Sequence, residues 1–226
     1  MNIYLDIETL PTNDPAIIAE FGSTITAPGQ YKKPESIAEW MAANSAAAVK
    51  ELVAKTSFDG LYGRIACIAW AFDDGDVVST SKDHTEQHAI MALYEAVAAY
   101  TDVHYQGGNT NTPLTVVGHN VAGFDLPFLK HRSIILGIKP DASIRRAMNA
   151  KPWDKEIADT MLMWSSDREK RVSMNKLCKA FGIADKCDFD GSMVADTWPV
   201  DPQKVIDYCK ADVERTRAIY KRLTFA

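Results

Sequence analysis

Asp6 and Glu8 stand two residues apart in the segment NIYLDIETL, where Ile3, Leu5 and Ile7 alternate with Tyr4, Asp6 and Glu8. That alternation predicts a β-strand over residues 2–8, and on a strand both carboxylates leave the same face. Two such charges about 4 Å apart cost roughly 1 kcal/mol in water and about 4 kcal/mol at an effective dielectric of 20. A cation held between them removes that cost. A solvated strand end accounts for a lone Asp-x-Glu equally well.

A second carboxylate, Asp125, lies in HNVAGFDLPFL, residues 119–129. The apolar run LTVVG predicts a buried strand that empties into a polar turn, with Asp125 at the start of the following helix. Phe124, Phe128 and Leu129 anchor that helix in the core. Asp is common at helix starts for capping and dipole reasons alone. The whole Asn-x-x-x-Phe-Asp-x-Pro-Phe-Leu pattern is far more specific than the Asp. The third segment is DYCKAD, residues 207–212. Tyr208 and Asp212 are four apart, so on a helix they share a face and can reach one site together. Val205, Cys209, Val213 and Thr216 form the adjoining buried stripe.

The elements that must position these groups alternate between strand and helix. RIACIAWAF, residues 64–72, predicts a buried strand; residues 73–76 turn it into a returning strand over 77–81. Helices are predicted over 37–55, entered through a Ser36/Glu39 capping box, and over 85–100, 122–136, 173–181 and 202–223. Residues 157–162 predict a short strand, whereas 11–34 and 139–157 read as irregular. The fold class is therefore α/β, as one domain with an insertion at about residues 12–59 between the first two strands.

Composition limits the alternatives. The 226 residues are 46% hydrophobic and carry 25 basic against 30 acidic side chains, a net charge of −5. That excludes a disordered or disulfide-stapled scaffold and argues against a general DNA-coating protein. Cys67, Cys178, Cys187 and Cys209 form no Cys-x-x-Cys pair and read as reduced thiols; Cys178 and Cys187 could in principle be partners. MNIYLDIETL lacks the charge pattern of a signal peptide, and no apolar run spans a bilayer, so the expected location is cytoplasmic. His84, His88 and His104 read as surface residues, and Trp153 and Trp164 as core.

IYLDIET, HNVAGFDLPFL and YCKAD, in that order, resemble the three motifs of the DEDD superfamily of 3′→5′ exonucleases. Tyr208, four before Asp212, is similar to the DEDDy branch; the sister branch has His five before the last Asp, where this chain has Asp207. The likeness is to proofreading domains of family-B DNA polymerases and to phage-type exonucleases related to them. It extends to GRIACIAWA, KPWDKEIADTM, VSMNKLCKAFGI and DGSMVADTW. The resemblance implies a ribonuclease H-like fold, a central mixed five-stranded sheet flanked by helices. It implies that Asp6, Glu8, Asp125 and Asp212 hold two divalent cations, Mg²⁺ or Mn²⁺, as oxygen-rich sites prefer. Asp6 would bridge both, Glu8 and Asp212 would complete the tighter site, and Asp125 would hold the second ion partly through water. Tyr208 would orient the attacking water.

By the same resemblance, Thr9 and Leu10 approach the terminal nucleotide, and Asn120 and Phe124 line the cleft near the penultimate one. Lys130, His131, Arg132, Arg145 and Arg146 are candidate phosphate contacts, though each fits a solvated helix face as well. The expected activity is hydrolysis of the terminal phosphodiester of single-stranded DNA to nucleoside 5′-monophosphates. An exoribonuclease and a non-catalytic nucleic-acid-binding module of the same fold are the alternatives. The expected partners are nucleic acid 3′ ends, with replication or repair proteins acting in trans; no membrane is expected.

Overall fold

The computed structural model describes residues 1–106, 113–165, 171–183 and 188–226. Along the chain run β1 (Asn2–Leu10), α1 (Pro15–Thr24), α2 (Pro34–Lys55), β2 (Arg64–Phe72), β3 (Val78–Ser79), α3 (Glu86–Gln106), β4 (Thr115–Gly118), α4 (Asp125–Ile135), α5 (Ala142–Ala147), β5 (Ile157–Asp159), α6 (Thr160–Trp164), α7 (Met174–Phe181), α8 (Val194–Thr197) and α9 (Pro202–Thr224). The strands form one mixed five-stranded sheet in the order β3-β2-β1-β4-β5. β1 pairs antiparallel with β2 and parallel with β4. The carboxylate-bearing strand is thus central, with neighbours that fix its direction and register.

Period-two alternation sorts β1 onto two cores. Ile3, Leu5 and Ile7 join Ile90, Leu93 and Leu129 on the face covered by α3, α4 and α5. Tyr4 and Leu10 join Val205, Cys209 and Val213 on the face covered by α8 and α9. Asp6 and Glu8, between Tyr4 and Leu10 in the alternation, therefore look toward α9. β2 supplies small residues (Ala66, Cys67, Ala69 and Ala71) on that face, while Ile68 and Trp70 fill the opposite one. The small side chains let α9 lie close over β1 and β2. The ladder slips beside Glu8: Glu8 faces Cys67, but Thr9 faces Ile65, leaving Ala66 as an extra residue. This bulge explains why Ile65 and Ile68 serve the same core despite their odd spacing.

Several expectations change in the structure. Residues 15–24 are a full helix, because Asp14 accepts from the Ala16 N–H and Pro15 takes the first turn. α2 begins at Pro34 after Lys33, and Ser36 Oγ donates to the Lys33 carbonyl, so Ser36 and Glu39 are not a capping box. β3 is only two residues long. The segment read as irregular contains α5, capped by Asp141 at the Ser143 N–H. Residues 160–162 belong to α6 rather than to a strand. α7 ends at Gly182, whose φ of 68° gives the left-handed cap.

Trp153 and Trp164 are not core residues: they are 73% and 50% exposed. Trp153 sits in a turn closed by the Lys151 N–H donating to Asp154 Oδ2, which turns the ring outward. Trp164, at the end of α6, meets the edge of Phe181 with ring centroids 5.6 Å apart. Cys67 and Cys209 are buried thiols. A Cys178–Cys187 pairing lies outside the described residues, since Cys187 is not among them. No described helix is long and apolar enough to cross a membrane.

Candidate active site

α9 brings the third motif to the first. Asp201 caps the helix at the Lys204 N–H and Pro202 occupies its first turn. The buried stripe of α9 runs through Val205, Cys209, Asp212, Val213 and Thr216, so one carboxylate occupies a position the helix pattern reserves for apolar groups. There it meets β1. Carboxylate oxygens of Asp6, Glu8 and Asp212 all lie within 4.8 Å of one another. Glu8 and Asp212 are 9% and 4% exposed. Asp6 Oδ2 is buried with no hydrogen-bond partner among the described residues.

An orphaned buried carboxylate oxygen facing two more carboxylates is costly unless a cation or proton arrives. The electrostatics carry that cost: burial, then Glu8, Asp212 and Asp125, hold the Asp6 carboxyl well above the usual carboxylate range. The donor set is oxygen only, which fits Mg²⁺ or Mn²⁺ rather than zinc.

Asp125 arrives from the other side of β1. The turn after β4 is tight: a Cβ on Gly118 would sit 2.5 Å from Val121 Cβ, so only glycine fits there. Asn120 takes a left-handed φ of 67°. Asp159, 2% exposed, pins the turn by accepting from the Asn120 N–H at 3.0 Å and the Ala122 N–H at 3.1 Å, while also capping α6. Asp125 then starts α4, and its Oδ1 accepts from the Ile7 N–H at 3.1 Å. It lies outside the group of three carboxylates within 4.8 Å. Burial raises it to about 7; the Ile7 hydrogen bond pulls it down, and Asp159 and Asp212 push it up.

Tyr208 joins the cluster from α9, sharing a hydrogen bond with Asp212. Burial and then Asp212, Glu8 and Asp6 push its phenol far above the ordinary value. Its ring meets Phe189 edge-on at 5.0 Å.

The remaining candidates separate. Thr9 Oγ1 donates to the Ser57 carbonyl at 2.6 Å, tying β1 to the end of the 12–59 segment. Leu10 is 5% exposed and packs in the core beneath α9. Phe124 packs against Phe128 at 5.6 Å. Asn120 and Gly123 border a cleft of about 200 Å³. Arg132 is no phosphate contact: it is 8% exposed and donates to both Glu86 oxygens, at 2.8 and 2.9 Å. Burying a guanidinium requires such a fork. Lys130 donates to Asn149 Oδ1, whereas His131, Arg145 and Arg146 are exposed.

Two contributors escaped the sequence reading. Arg215 Nη1 lies 2.8 Å from Asp212 Oδ1, with both side chains largely buried. The i,i+3 spacing on α9 was the available signal. Asp159 was the other, and its place ahead of Thr160 is an ordinary cap pattern.

Residues 64–226 match the model of a family described as "Predicted 3'-5' exonuclease related to the exonuclease domain of PolB". The chain belongs to that family. The matched span contains Asp125, Tyr208 and Asp212; Asp6 and Glu8 precede it, and the sheet brings them in. The structure also resembles that of the family B DNA polymerase from the hyperthermophilic archaeon Pyrobaculum calidifontis, with a TM-score of 0.59 at 15% identity over 99% of this chain. The chain spans 24% of that polymerase. The likeness is one of fold, a mixed five-stranded sheet flanked by helices. No curated protein matches the chain.

Proposed function

We propose that this protein is a metal-dependent 3′→5′ exonuclease that removes nucleoside 5′-monophosphates from single-stranded DNA. The observation that carries the reading is the buried meeting of Asp6, Glu8 and Asp212, with one Asp6 oxygen unsatisfied. Asp6, Glu8 and Asp212, with Asp125 beside them, would hold the cations. Mg²⁺ or Mn²⁺ ions held there would supply the Lewis acidity and counter-charge for in-line hydrolysis of the terminal phosphodiester. Asp125, steadied by the Ile7 N–H, keeps its carboxylate aimed along β1. Tyr208, hydrogen-bonded to Asp212, orients the attacking water. Arg215 holds Asp212 in place. Thr9, Asn120 and Phe124 border the path of the last nucleotides.

The test compares linear and closed circular single strands with Mn²⁺, alongside a linear strand blocked at its 3′ end. Linear DNA should shorten, and the circular and blocked strands should survive. Nicking of the circle would overturn the exonuclease reading. The same linear sequence in RNA tests the sugar: faster loss of RNA would overturn the DNA assignment.

A further inference from the structure

The segment following α4 is basic in an acidic protein. Residues 139–156 hold Lys139, Arg145, Arg146, Lys151 and Lys155 against Asp141, Asp154 and Glu156, while the chain as a whole carries −5. Two of these acids are engaged with backbone: Asp141 caps α5, and Asp154 accepts from the Lys151 N–H. α5 buries Ile144 and Ala147 in the core and leaves Arg145 and Arg146 exposed. Asn149 joins this face to α4, accepting from Lys130 and donating to the Arg145 carbonyl at 2.7 Å.

Trp153 stands on the same segment, 73% exposed, with the Lys151 ammonium 5.6 Å from the ring centroid. An open indole beside a cation is an aromatic surface on which a base can stack while the ammonium meets its phosphate. The segment also touches the candidate active site. Pro152, adjacent to Trp153, lines the 200 Å³ cleft together with Asn120, Gly123, Asp159 and Arg171. A continuous surface thus leads from the turn that presents Asp125, past Arg171 and Pro152, to Trp153 and the arginines of α5.

We infer that this surface is the track for the single strand 5′ of the bond being cut, with Trp153 as a base-stacking platform and Arg145, Arg146, Lys151 and Arg171 as phosphate contacts. The inference rests on the proposed exonuclease reading and extends it to the substrate's body. The occupant is single-stranded nucleic acid because separated cations with an interleaved, exposed aromatic match a flexible phosphate chain with accessible bases.

The test uses the full chain and two substrates, a dinucleotide confined to the positions nearest the cut and a 15-nucleotide strand that extends along the proposed track. Stacking of this kind is worth roughly 1–3 kcal/mol, or about 5- to 150-fold. Trp153→Ala should weaken binding of the long strand by at least fivefold, measured by fluorescence anisotropy in EDTA, where nothing is cut. In turnover the loss should fall on KM and grow from the dinucleotide to the long strand. Trp153→Phe should recover part of it. Arg145→Gln with Arg146→Gln should flatten the salt dependence of binding by about two counterions. Melting temperatures should match the wild type, since these side chains are exposed. Long-strand binding within twofold of wild type in Trp153→Ala, or an equal loss on both substrates, overturns the track. If the wild type binds the long strand through Trp153 but cuts neither substrate, the exonuclease reading falls while the track stands.

Discussion

Replacing Asp6 with asparagine should stabilise the metal-free protein while abolishing its activity. Asp6, Glu8 and Asp212 present oxygens within 4.8 Å of one another, and one Asp6 oxygen has no hydrogen-bond partner among the described residues. At an effective dielectric of about 20, two unit charges at that separation repel by about 3.5 kcal/mol. Asp6 has two such neighbours, so the fully ionised cluster is strongly self-repelling. The protein sheds part of this by keeping a proton on Asp6, whose carboxyl is held well above its usual range. Each 1 kcal/mol of that repulsion removed is worth about 2–4 °C in melting temperature for a chain of this size, so the variant should melt measurably higher than the wild type. Asparagine keeps the shape, removes the charge and offers an amide donor to the neighbouring carboxylates. The assay is thermal unfolding in EDTA and again in Mn²⁺. The wild type should gain stability from Mn²⁺ and the variant should not. A destabilised Asp6→Asn in EDTA, or an undiminished response to Mn²⁺, would refute the reasoning that this cluster is strained for want of a cation.

Other perturbations probe the neighbours of that cluster. Arg215→Gln leaves Asp212 buried without its guanidinium, so the metal-free protein should lose about 3 kcal/mol; Mn²⁺ should restore most of it, and an unchanged melting temperature in EDTA would show that the 2.8 Å pair carries no weight. Tyr208→Phe should slow hydrolysis about tenfold, the worth of one hydrogen bond to the reacting water, and leave the shape of the pH profile unchanged; a lost alkaline limb would identify Tyr208 as a base. Asp125 is raised from its ordinary value of 3.8 to about 7 in the folded protein. A carboxyl raised on folding contributes stability that is present below its unfolded value and lost as the pH climbs through the folded one. The metal-free protein should therefore lose stability between about pH 4 and pH 7, Asp125→Asn should flatten that slope, and a slope of opposite sign would contradict the burial of Asp125.

The chemistry-bearing elements were legible because they are periodic. Alternation in β1 separates Ile3, Leu5 and Ile7 from Asp6 and Glu8, and the stripe on α9 sets Asp212 among Val205, Cys209 and Val213. Both patterns survive in three dimensions because each element is packed on a core that enforces its period. The misses fall where no period operates. Pro15 looked like loop punctuation but is the first residue of a capped helix. Trp153 looked like core from its type alone, yet a turn carries it outward. Arg132 looked like a surface cation, but the fork to Glu86 joins α4 to α3 across residues far apart in sequence. Arg215 was within reach of a helical reading, since Asp212 and Arg215 are neighbours on one turn.

The central claim is that these carboxylates hold the ions that cut the 3′-terminal phosphodiester. It is tested most directly by incubating a 5′-labelled single-stranded oligonucleotide with Mn²⁺ and either the wild type or Asp212→Ala. The wild type should shorten the strand one nucleotide at a time, releasing 5′-monophosphates, and EDTA should stop it; Asp212→Ala should leave the strand at full length. Shortening by Asp212→Ala at the wild-type rate would contradict the account.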